Sequence, residues 1–431
     1  MFHSYDAAVQ FLYSNLPMFQ RIGSAALKND LTNTVRLCRA LGDPQEKFKS
    51  VHVAGTNGKG SSSHMIASIL QEAGYNTGLY TSPHLKDFTE RIRLNGELIP
   101  RSFVLDFVNR IQSQIELIEP SFFEITVAMA FDYFVAAKVD VAVIETGLGG
   151  RLDSTNVITP LVSLITNIGW DHKDILGDTL EKIAAEKAGI IKPGVPVVIS
   201  ERQEALDEIF IHRSRELNAP LTFAPAHYAI TQTVHAGINL LHVTRDNQVL
   251  FESLELPIQG SYQQRNLAGV LAVVDVLREK GLTITNGEVQ KGLTRVVSNT
   301  HLKGRWQILS RRPLLVCDTG HNLDGIREVV KQIHAQRYER LHMVIGMVKD
   351  KDITSILAEL PTEATYYFCQ AKIPRALPAE QLRTAAAGFG LRGKVIADVN
   401  DAIREALQNS NDDDFIFVGG STFVVAEIEN L

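Results

Sequence analysis

Continuous apolar runs, rich in β-branched residues, recur along the chain and alternate with stretches of helical periodicity. The runs lie at residues 51–54, 139–144 and 161–166, with a further short strand predicted at 77–80. A run without polar alternation is typical of a parallel strand buried on both faces. Helical patterns occupy residues 64–70, 101–118 and 122–139, after two short helices within residues 4–43. The first half of the chain is therefore predicted to be an α/β domain.

A second alternation of strands and helices begins near Arg312. Its predicted strands lie at residues 314–317, 342–345, 366–369, 394–397 and 415–418. This order indicates a smaller, doubly wound, Rossmann-like domain. The polar stretch at residues 298–301 is interpreted as a linker, so the predicted domains span residues 1–297 and 298–431.

The region between these two patterns has a different distribution of polar and apolar residues. Residues 221–258 alternate Thr, Val and His with other residues, which predicts antiparallel strands with a turn at residues 245–247. Ser261 is predicted to cap a helix over residues 264–278. Upstream, Asp178 and Glu181 have the spacing of a capping box for a helix that ends near Gly189.

Composition narrows the function classes. The 431 residues are 45% hydrophobic and 21% charged, with a net charge of −6, as in ordinary globular proteins with large cores. No basic block indicates nucleic acid, and no apolar stretch is long enough to span a membrane. The first 23 residues do not resemble a signal peptide. Three cysteines without CxxC spacing are interpreted as buried thiols, so we expect a cytoplasmic protein.

A glycine-rich loop joins the first predicted strand to the next helix, which is the context that a phosphate-binding loop needs. It consists of Gly55, Thr56, Asn57, Gly58, Lys59, Gly60 and Ser61. Backbone amides and the helix N-terminus would bind phosphate, the lysine would reach the terminal phosphates, and the serine hydroxyl could ligate Mg²⁺. The spacing differs from the usual P-loop, which argues against a GTPase or a common kinase. The alternative is a glycine turn with a solvated lysine.

Two candidate metal ligands follow strands of the same predicted sheet. Glu145 ends the strand at 139–144, and His172 lies just after the strand at 161–166. Ligands of open α/β sheets bind at the carboxyl ends of the strands, where a P-loop protein holds its Mg²⁺-binding acid. Glu145 could instead be a rim carboxylate or a helix cap, and an isolated histidine is more often structural.

Lys187 falls on the apolar stripe of the helix that contains it. Burying an unpaired ammonium is costly, so an inward lysine needs a partner or a modification. One hypothesis is that Lys187 reaches the active crevice, carbamylated so that it acts as an anion. The alternative is a side chain whose stem is buried and whose ammonium reaches solvent.

Polar residues also follow the strands of the second pattern. Asp318 and His321 follow its first strand, Lys349 its second and Ser421 its last. These strand ends are predicted to share one rim, and a cleft between two such domains would suit a nucleotide and a second substrate. No convincing Cys-His or Ser-His-Asp pattern indicates covalent hydrolysis.

Together these motifs resemble the folylpolyglutamate synthase/dihydrofolate synthase family of the Mur ligase superfamily. The resemblance rests on GTNGKGS at 55–61, TSPHL at 81–85, ETGLGGRLDSTN at 145–156, NIGWDH at 167–172, EKAGIIKPG at 186–194 and DTGHN at 318–322. GTNGK alone is shared with other Mur ligases, whereas GTNGKGS with TSPHL and GLGGRLD is specific to the folate branch. The similarity runs from about Leu37 to the C-terminus.

The resemblance implies that ATP phosphorylates a pteroate or folate carboxylate, and that the amino group of L-glutamate attacks the acyl phosphate. Two Mg²⁺ sites are implied, one held by Ser61 and Glu145 and one by Glu145 and His172. Lys187 matches the family lysine that is carbamylated. The implied nucleotide contacts outside the loop are Asn266, Arg305, Asp318 and His321. The implied substrate contacts are Ser82, Pro83, His84, Phe123, Thr126, Arg151, Asp153 and Ser421.

The chain departs from the family pattern at two places. Lys303-Gly304-Arg305 replaces a proline-glycine-arginine, and Asp318-Thr319-Gly320-His321-Asn322 replaces Asp-Gly-Ala-His-Asn. The family implies small-molecule substrates, a monomer and activity on both dihydropteroate and folates. A Mur-type ligase acting on another acyl substrate, a P-loop ATPase switch and a nucleotide-binding protein without catalysis remain as alternatives.

Overall fold

The computed structural model describes residues 1–18, 30–235 and 238–431, and the chain divides into two compact units. The first unit comprises Met1–Gly169, Lys173–Pro257 and Gln263–His301. The second unit comprises Trp170–His172, Ile258–Tyr262 and Leu302–Leu431. Two short segments thus belong to the second unit although their chain neighbours lie in the first.

The first unit is built on an eight-stranded sheet with the order β4-β3-β2-β5-β1-β6-β7-β8. Its strands are β1 (Lys49–Ala54), β2 (Thr77–Tyr80), β3 (Ile92–Leu94), β4 (Glu97–Leu98), β5 (Val141–Glu145), β6 (Val162–Ile165), β7 (Val197–Ile199) and β8 (Leu221–Phe223). Six neighbouring strands are parallel to one another, namely β2, β5, β1, β6, β7 and β8. β3 and β4 extend the sheet as antiparallel strands at the β2 edge. The central strands are buried along their length, which explains their continuous apolar sequence.

Helices cover this sheet. They are α1 (Tyr5–Asn15), α2 (Thr32–Ala40), α3 (Lys59–Glu72), α4 (Arg101–Arg110), α5 (Gln112–Ile118), α6 (Phe122–Ala136), α7 (Lys173–Leu176), α8 (Leu180–Ala188), α9 (Asp207–Glu216), α10 (Gln263–Glu279), α11 (Asn286–Thr294) and α12 (Val296–Thr300). α6 carries apolar residues on nearly all sides, and most of its residues are buried. Gly292 lets α11 lie directly on α3, since a Cβ at Gly292 would stand 2.5 Å from Cα of Ile69.

A three-stranded antiparallel sheet follows in the same unit. It contains β9 (Tyr228–His235), β10 (Ile238–Arg245) and β11 (Gln248–Glu255), in the order β11-β10-β9. The predicted antiparallel strands and the turn after Arg245 are confirmed. The prediction was wrong for residues 221–223, which form β8 and pair in parallel with β7.

The second unit contains a six-stranded sheet with the order β12-β13-β17-β14-β15-β16. Its strands are β12 (Gln307–Arg311), β13 (Leu314–Cys317), β14 (Leu341–Ile345), β15 (Thr365–Phe368), β16 (Arg392–Val395) and β17 (Phe415–Gly419). Its helices are α13 (Leu323–His334), α14 (Ile353–Leu357), α15 (Ala379–Ala387), α16 (Val399–Gln408) and α17 (Thr422–Glu427). All pairs are parallel except β12–β13, so the predicted doubly wound pattern is present with one additional antiparallel strand.

Three local predictions need correction. The segment interpreted as a linker is largely the helix α12. The N-cap of α8 is Thr179, whose hydroxyl accepts from the backbone N–H of Lys182, so Asp178 and Glu181 do not form the predicted box. The hydroxyl of Ser261 donates to Glu328 at 3.1 Å, and α10 begins at Gln263.

All three cysteines are buried free thiols, as predicted. Cys38 lies in the first unit, and Cys317 and Cys369 lie in the second. Burial raises the pKa of each thiol, for Cys38 to about 12. Among the described residues, no helix combines the length and the apolar character that crossing a membrane requires.

Candidate active site

The glycine-rich loop lies between β1 and α3 and is fastened to the segment that follows β6. The backbone N–H of Thr56 donates to the carbonyl of Asn167 at 2.9 Å, and the N–H of Asn57 donates to the Asn167 side chain at 2.8 Å. α3 begins at Lys59, directly after Gly58 with φ of +86°. The unpaired amides of this helix start therefore border the loop, as an anion site requires.

The loop approaches α10 closely at Gly58. A Cβ at Gly58 would stand 2.2 Å from Oδ1 of Asn266, so the residue must be glycine for steric reasons as well as for its positive φ. The Nδ2 group of Asn266 donates to Gln263 at 2.9 Å, and the Nε2 group of Gln263 donates to the Ser61 hydroxyl at 3.2 Å. The first turn of α10 thus positions two loop residues.

Two lysines converge on one carbonyl oxygen of the loop. The ammonium of Lys59 donates to the carbonyl of Gly55 at 2.9 Å and to that of Thr56 at 3.2 Å. The ammonium of Lys187, in α8, also donates to Gly55 at 2.9 Å. The Lys187 side chain is buried, so the alternative of a solvent-exposed ammonium is excluded. These contacts concentrate positive charge beside the loop.

Glu145 is the last residue of β5 and lies opposite Val53 of β1, so it emerges at the strand end next to the glycine-rich loop. It is 4% exposed. Burial raises the pKa of Tyr80 and lowers that of Arg91, and the charge of Glu145 acts on both side chains. The Ser61 hydroxyl and this carboxylate offer the hard oxygen ligands that Mg²⁺ prefers.

The segment after β2 is more ordered than a plain loop, since it contains a 3-10 helix, Phe88–Arg91, before β3. His84 accepts from Nε of Arg91 at its Nδ1 atom, 2.7 Å away, and its Nε2 atom is 3.2 Å from the Tyr13 hydroxyl. Burial and the nearby Arg91 lower the pKa of His84 to about 3, so the imidazole is neutral. Ser82 is partly exposed and Pro83 is exposed.

The other predicted substrate residues of this unit have different environments. The ring centroids of Phe123 and Tyr80 are 6.2 Å apart. Thr126 is fully buried, and its hydroxyl donates back to the carbonyl of Phe122 in the same helix. The Nε and Nη2 groups of Arg151, which is exposed, donate to one carboxylate oxygen of Glu186 at 3.1 and 2.8 Å. Asp153 is buried and accepts hydrogen bonds from its own loop.

In the second unit, Asp318 directly follows β13 and binds several neighbouring groups. Its carboxylate accepts from the backbone N–H groups of Trp306 and Gly320 at 2.7 Å and from the Tyr262 hydroxyl at 3.3 Å. Burial raises the pKa of Asp318, and the nearby charge of Arg305 and these hydrogen bonds oppose that rise. Arg305, Asp318 and Tyr262 are therefore brought together.

A second cluster of this unit centres on Asp171, which the sequence did not single out. Its carboxylate pairs with the Lys351 ammonium and lies 3.7 Å from Nε2 of both His172 and His321. Burial acts to raise the pKa of Asp171, but the His321 hydrogen bond and the neighbouring His172 and Lys351 side chains hold it well below its usual value. Lys351 and His321 are far from Asp171 in sequence, so the pattern along the chain did not predict this cluster. The one indication in the sequence was the aspartate within the NIGWDH motif.

The remaining residues predicted on this rim have structural contacts. Ser421 is the N-cap of α17, where its hydroxyl accepts from the N–H of Phe423 at 3.2 Å. Lys349 is exposed, and its ammonium donates to the Pro374 carbonyl at 3.3 Å. Over the described ranges, no three His, Cys, Asp or Glu side chains form a group that could hold a metal ion. Ser61 and Glu145 belong to the first unit and His172 to the second, so the second Mg²⁺ site stays a prediction.

Comparisons with known proteins identify the two units. The family described as "Mur ligase middle domain" matches residues 53–274, and "Mur ligase, glutamate ligase domain" matches residues 304–422. The dihydrofolate synthase/folylpolyglutamate synthase of Bacillus subtilis is 33% identical over 444 residues, covering 99% of this chain and 99% of that protein. The chain belongs to the dihydrofolate synthase/folylpolyglutamate synthase family. The resemblance drawn from the motifs and the predicted fold class are confirmed.

Solved structures of the family agree over nearly the whole chain. The structure of E. coli FolC in complex with DHPP and ADP has a TM-score of 0.86 and 31% identity, covering 98% of this chain and 96% of that one. The bifunctional folylpolyglutamate synthase/dihydrofolate synthase of Yersinia pestis, complexed with AMPPNP and a Mn ion, has a TM-score of 0.84 and 30% identity, covering 98% and 96%. Nucleotide and divalent metal thus occur together in this family.

Proposed function

We propose that this protein is an ATP-dependent ligase that adds L-glutamate both to dihydropteroate and to folates, releasing ADP and phosphate. The observation that carries the proposal is the loop from Gly55 to Ser61, with Lys59, Lys187 and Asn266 placed against it. The family supports the same chemistry, since relatives named for both synthase activities match this chain from end to end.

The reaction begins with activation of a carboxylate, which is a poor electrophile at neutral pH. A carboxylate oxygen of the pteroate or folate attacks the γ-phosphorus of ATP, the bond to the ADP oxygen breaks, and an acyl phosphate forms. Phosphoryl transfer depends mainly on positioning and on neutralising charge. Loop amides and Lys59 would hold the phosphates, and Lys187 adds positive charge at the same loop.

The second step forms the amide bond. The amino group of L-glutamate attacks the acyl carbon and loses a proton, and the carbon–oxygen bond to phosphate breaks. We assign ATP binding to residues 1–297 and glutamate ligation to residues 298–431, supported by the matched Mur ligase domains. Asp318, Arg305 and His321 are proposed to contact the nucleotide, because Arg305 lies near Asp318 and His321 contacts the carbonyl of Thr319, the residue after Asp318.

Ser61 and Glu145 would hold a divalent metal ion, which would neutralise phosphate charge when bound. Both are buried oxygen ligands of the first unit. A second metal site at Glu145 and His172 and carbamylation of Lys187 are further proposals. Carbamylation is supported by the burial of the Lys187 side chain beside the loop, because burying a charged ammonium is costly.

The proposal is tested by phosphate release from ATP with L-glutamate, comparing dihydropteroate with tetrahydrofolate as acceptors. Mass spectrometry of the products should show one added glutamate on each acceptor. A Lys59→Ala variant is the matched control for contaminating ATPase. Phosphate release that needs neither acceptor, or turnover with a UDP-muramyl substrate alone, would contradict the proposal.

A further inference from the structure

Residues 81–91, which follow β2, form a closed loop. Its two ends meet where the backbone N–H of Thr81 donates to the carbonyl of Arg91 at 3.0 Å. Inside it, the Glu90 carboxylate accepts from the three successive backbone N–H groups of residues 85–87 at 2.7, 3.1 and 3.3 Å. All these contacts are made within the loop itself, so they fix its shape rather than its position in the first unit.

The first helix of the unit, α1, contacts this loop at Asp87. The Tyr5 hydroxyl donates to Oδ1 of Asp87 at 2.6 Å, and Arg101 pairs with Oδ2 at 2.8 Å. The Arg101 guanidinium also lies over the Tyr5 ring, 4.8 Å from its centroid. Burial acts to raise the pKa of Asp87, but hydrogen bonds from Tyr5 and Thr89 hold it at about 2, so the carboxylate is ionised. Asp87 is also the N-cap of the 3-10 helix Phe88–Arg91, so Tyr5 is bonded to the residue that begins this helix.

A second contact joins α1 to His84. Nδ1 of the neutral His84 imidazole accepts from Arg91, so the single ring proton lies on Nε2. Nε2 therefore donates to the Tyr13 hydroxyl, 3.2 Å away. The ring centroids of Tyr13 and Phe122 are 5.5 Å apart, and the Arg91 guanidinium lies 5.2 Å from the same Phe122 centroid. The histidine is thus held between a buried arginine and a tyrosine of α1.

The chain just after α1 also contacts the helix that carries the other predicted substrate residues of this unit. The backbone N–H of Phe122, at the start of α6, donates to the carbonyl of Pro17 at 2.9 Å. Phe123 is the next residue of α6. α1 and the residues that follow it are therefore bonded to both segments that carry predicted substrate contacts, residues 82–84 and residues 123–126.

We propose that Tyr5 and Tyr13 are positioning residues that hold residues 82–84 where the pteroate or folate acceptor binds. Tyr5 acts through Asp87 and Tyr13 acts through His84, rather than by touching the acceptor. The inference rests on the proposed function, because it requires an acceptor at residues 82–84. Both tyrosines lie upstream of the part of the chain in which the family motifs were found, so the resemblance did not single them out.

The loss of either hydroxyl should weaken acceptor binding without slowing the chemical step. A loop that is held in place before the ligand arrives binds more tightly than one that the ligand must order. The bond from Tyr5 ends on an ionised carboxylate, whereas the bond between His84 and Tyr13 joins neutral groups. Charge-assisted hydrogen bonds are roughly twice as strong as neutral ones, so Tyr5 should contribute more than Tyr13.

The kinetic test uses substitutions that remove one hydroxyl and keep the ring. Tyr5→Phe should raise KM for dihydropteroate about 10-fold and Tyr13→Phe about 3-fold, with kcat and the KM for ATP near their wild-type values. Tyr228→Phe is the matched control, because the Tyr228 hydroxyl also donates to an aspartate, Asp275, that pairs with an arginine, Arg245. Its kinetic constants should not change. An unchanged KM for dihydropteroate in Tyr5→Phe, or an equal rise in the KM for ATP, would overturn the inference.

Double-mutant cycles show whether each tyrosine acts through its partner. In an Asp87→Ala background, Tyr5→Phe should cause no further rise in KM for dihydropteroate, because the acceptor of its hydrogen bond is already absent. In a His84→Ala background, the same result is expected for Tyr13→Phe. If the fold-changes of the single variants multiply in either cycle, that tyrosine contacts the acceptor directly and the inference is wrong.

Hydrogen exchange measured without any substrate separates this inference from the proposed function. Peptides that cover residues 82–91 should exchange faster in Tyr5→Phe and in Tyr13→Phe than in the wild type and in Tyr228→Phe. Equal exchange in all four proteins would contradict the inference. A wild-type protein without ligase activity would refute the proposed function, while the exchange result would still show whether α1 holds the loop.

Discussion

Replacing Asp171 by asparagine should destabilise the second unit. The aspartate side chain is 12% exposed, and its partner Lys351 is 10% exposed. His172 and His321 both lie 3.7 Å from the same carboxylate oxygen. Neutralising the carboxylate leaves the Lys351 ammonium buried without a counter-charge, and burying an uncompensated charge is far more costly than losing a surface ion pair.

The size of the effect follows from this burial. Removing one partner of a buried pair costs about 3–5 kcal/mol, and we expect about 3 because the asparagine oxygen still accepts one hydrogen bond. That free energy corresponds to about a 150-fold change in the unfolding equilibrium constant. The pKa of folded Asp171 lies well below that of the unfolded chain, which is about 4. The ionised Asp171 therefore contributes fully to the free energy of unfolding above about pH 4. This contribution falls as the pH drops towards the pKa of the folded protein.

Urea unfolding followed by tryptophan fluorescence is the assay. Both tryptophans of the chain, Trp170 and Trp306, belong to the second unit, so the signal reports that unit. Glu380→Gln is the control, since it breaks an exposed pair with Arg383 in the same unit and should not shift the midpoint. A midpoint for Asp171→Asn equal to that of the control, or a difference from wild type that does not narrow in acid, would refute the reasoning.

Three further outcomes concern the first unit. Lys59→Ala should lower turnover at least about 100-fold, because it removes the phosphate-positioning cation, and near-normal rates would reject the loop assignment. Glu145→Gln should lower turnover about 100-fold and change the Mg²⁺ dependence, and an unchanged Mg²⁺ titration would argue against a metal role. Intact-protein mass spectrometry in bicarbonate should show an added carboxyl group on the wild-type protein that the Lys187→Arg variant lacks. If the two proteins differ in mass only by the substitution itself, carbamylation of Lys187 is excluded.

The sequence predicted those features that depend on local pattern. Continuous apolar runs identified the buried parallel strands, and the ends of those strands identified Glu145 and Asp318. Helical spacing placed Lys187 on a buried face, and the structure confirms its burial. These predictions succeeded because side-chain periodicity and strand ends are fixed by the backbone geometry of the element itself.

Features that depend on distant partners were missed. Residues of α12 looked like a linker because Ser298, Asn299 and Thr300 are polar, but Asn299 donates to Ser68 and Glu72 of α3. β12 was missed because its residues are only partly buried and it pairs at the edge of the sheet. Tertiary contacts of this kind override local propensity, and a single sequence does not reveal them.

The buried thiols provide the protein with built-in reporters of local opening. Only a thiolate is nucleophilic, and a buried cysteine with a raised pKa reacts with alkylating reagents when its surroundings open. Cys38 sits in one unit and Cys317 and Cys369 in the other, so peptide mapping after timed alkylation assigns each opening event to its own half of the molecule. Timed alkylation of the wild-type protein thus shows whether the two units open together or one after the other.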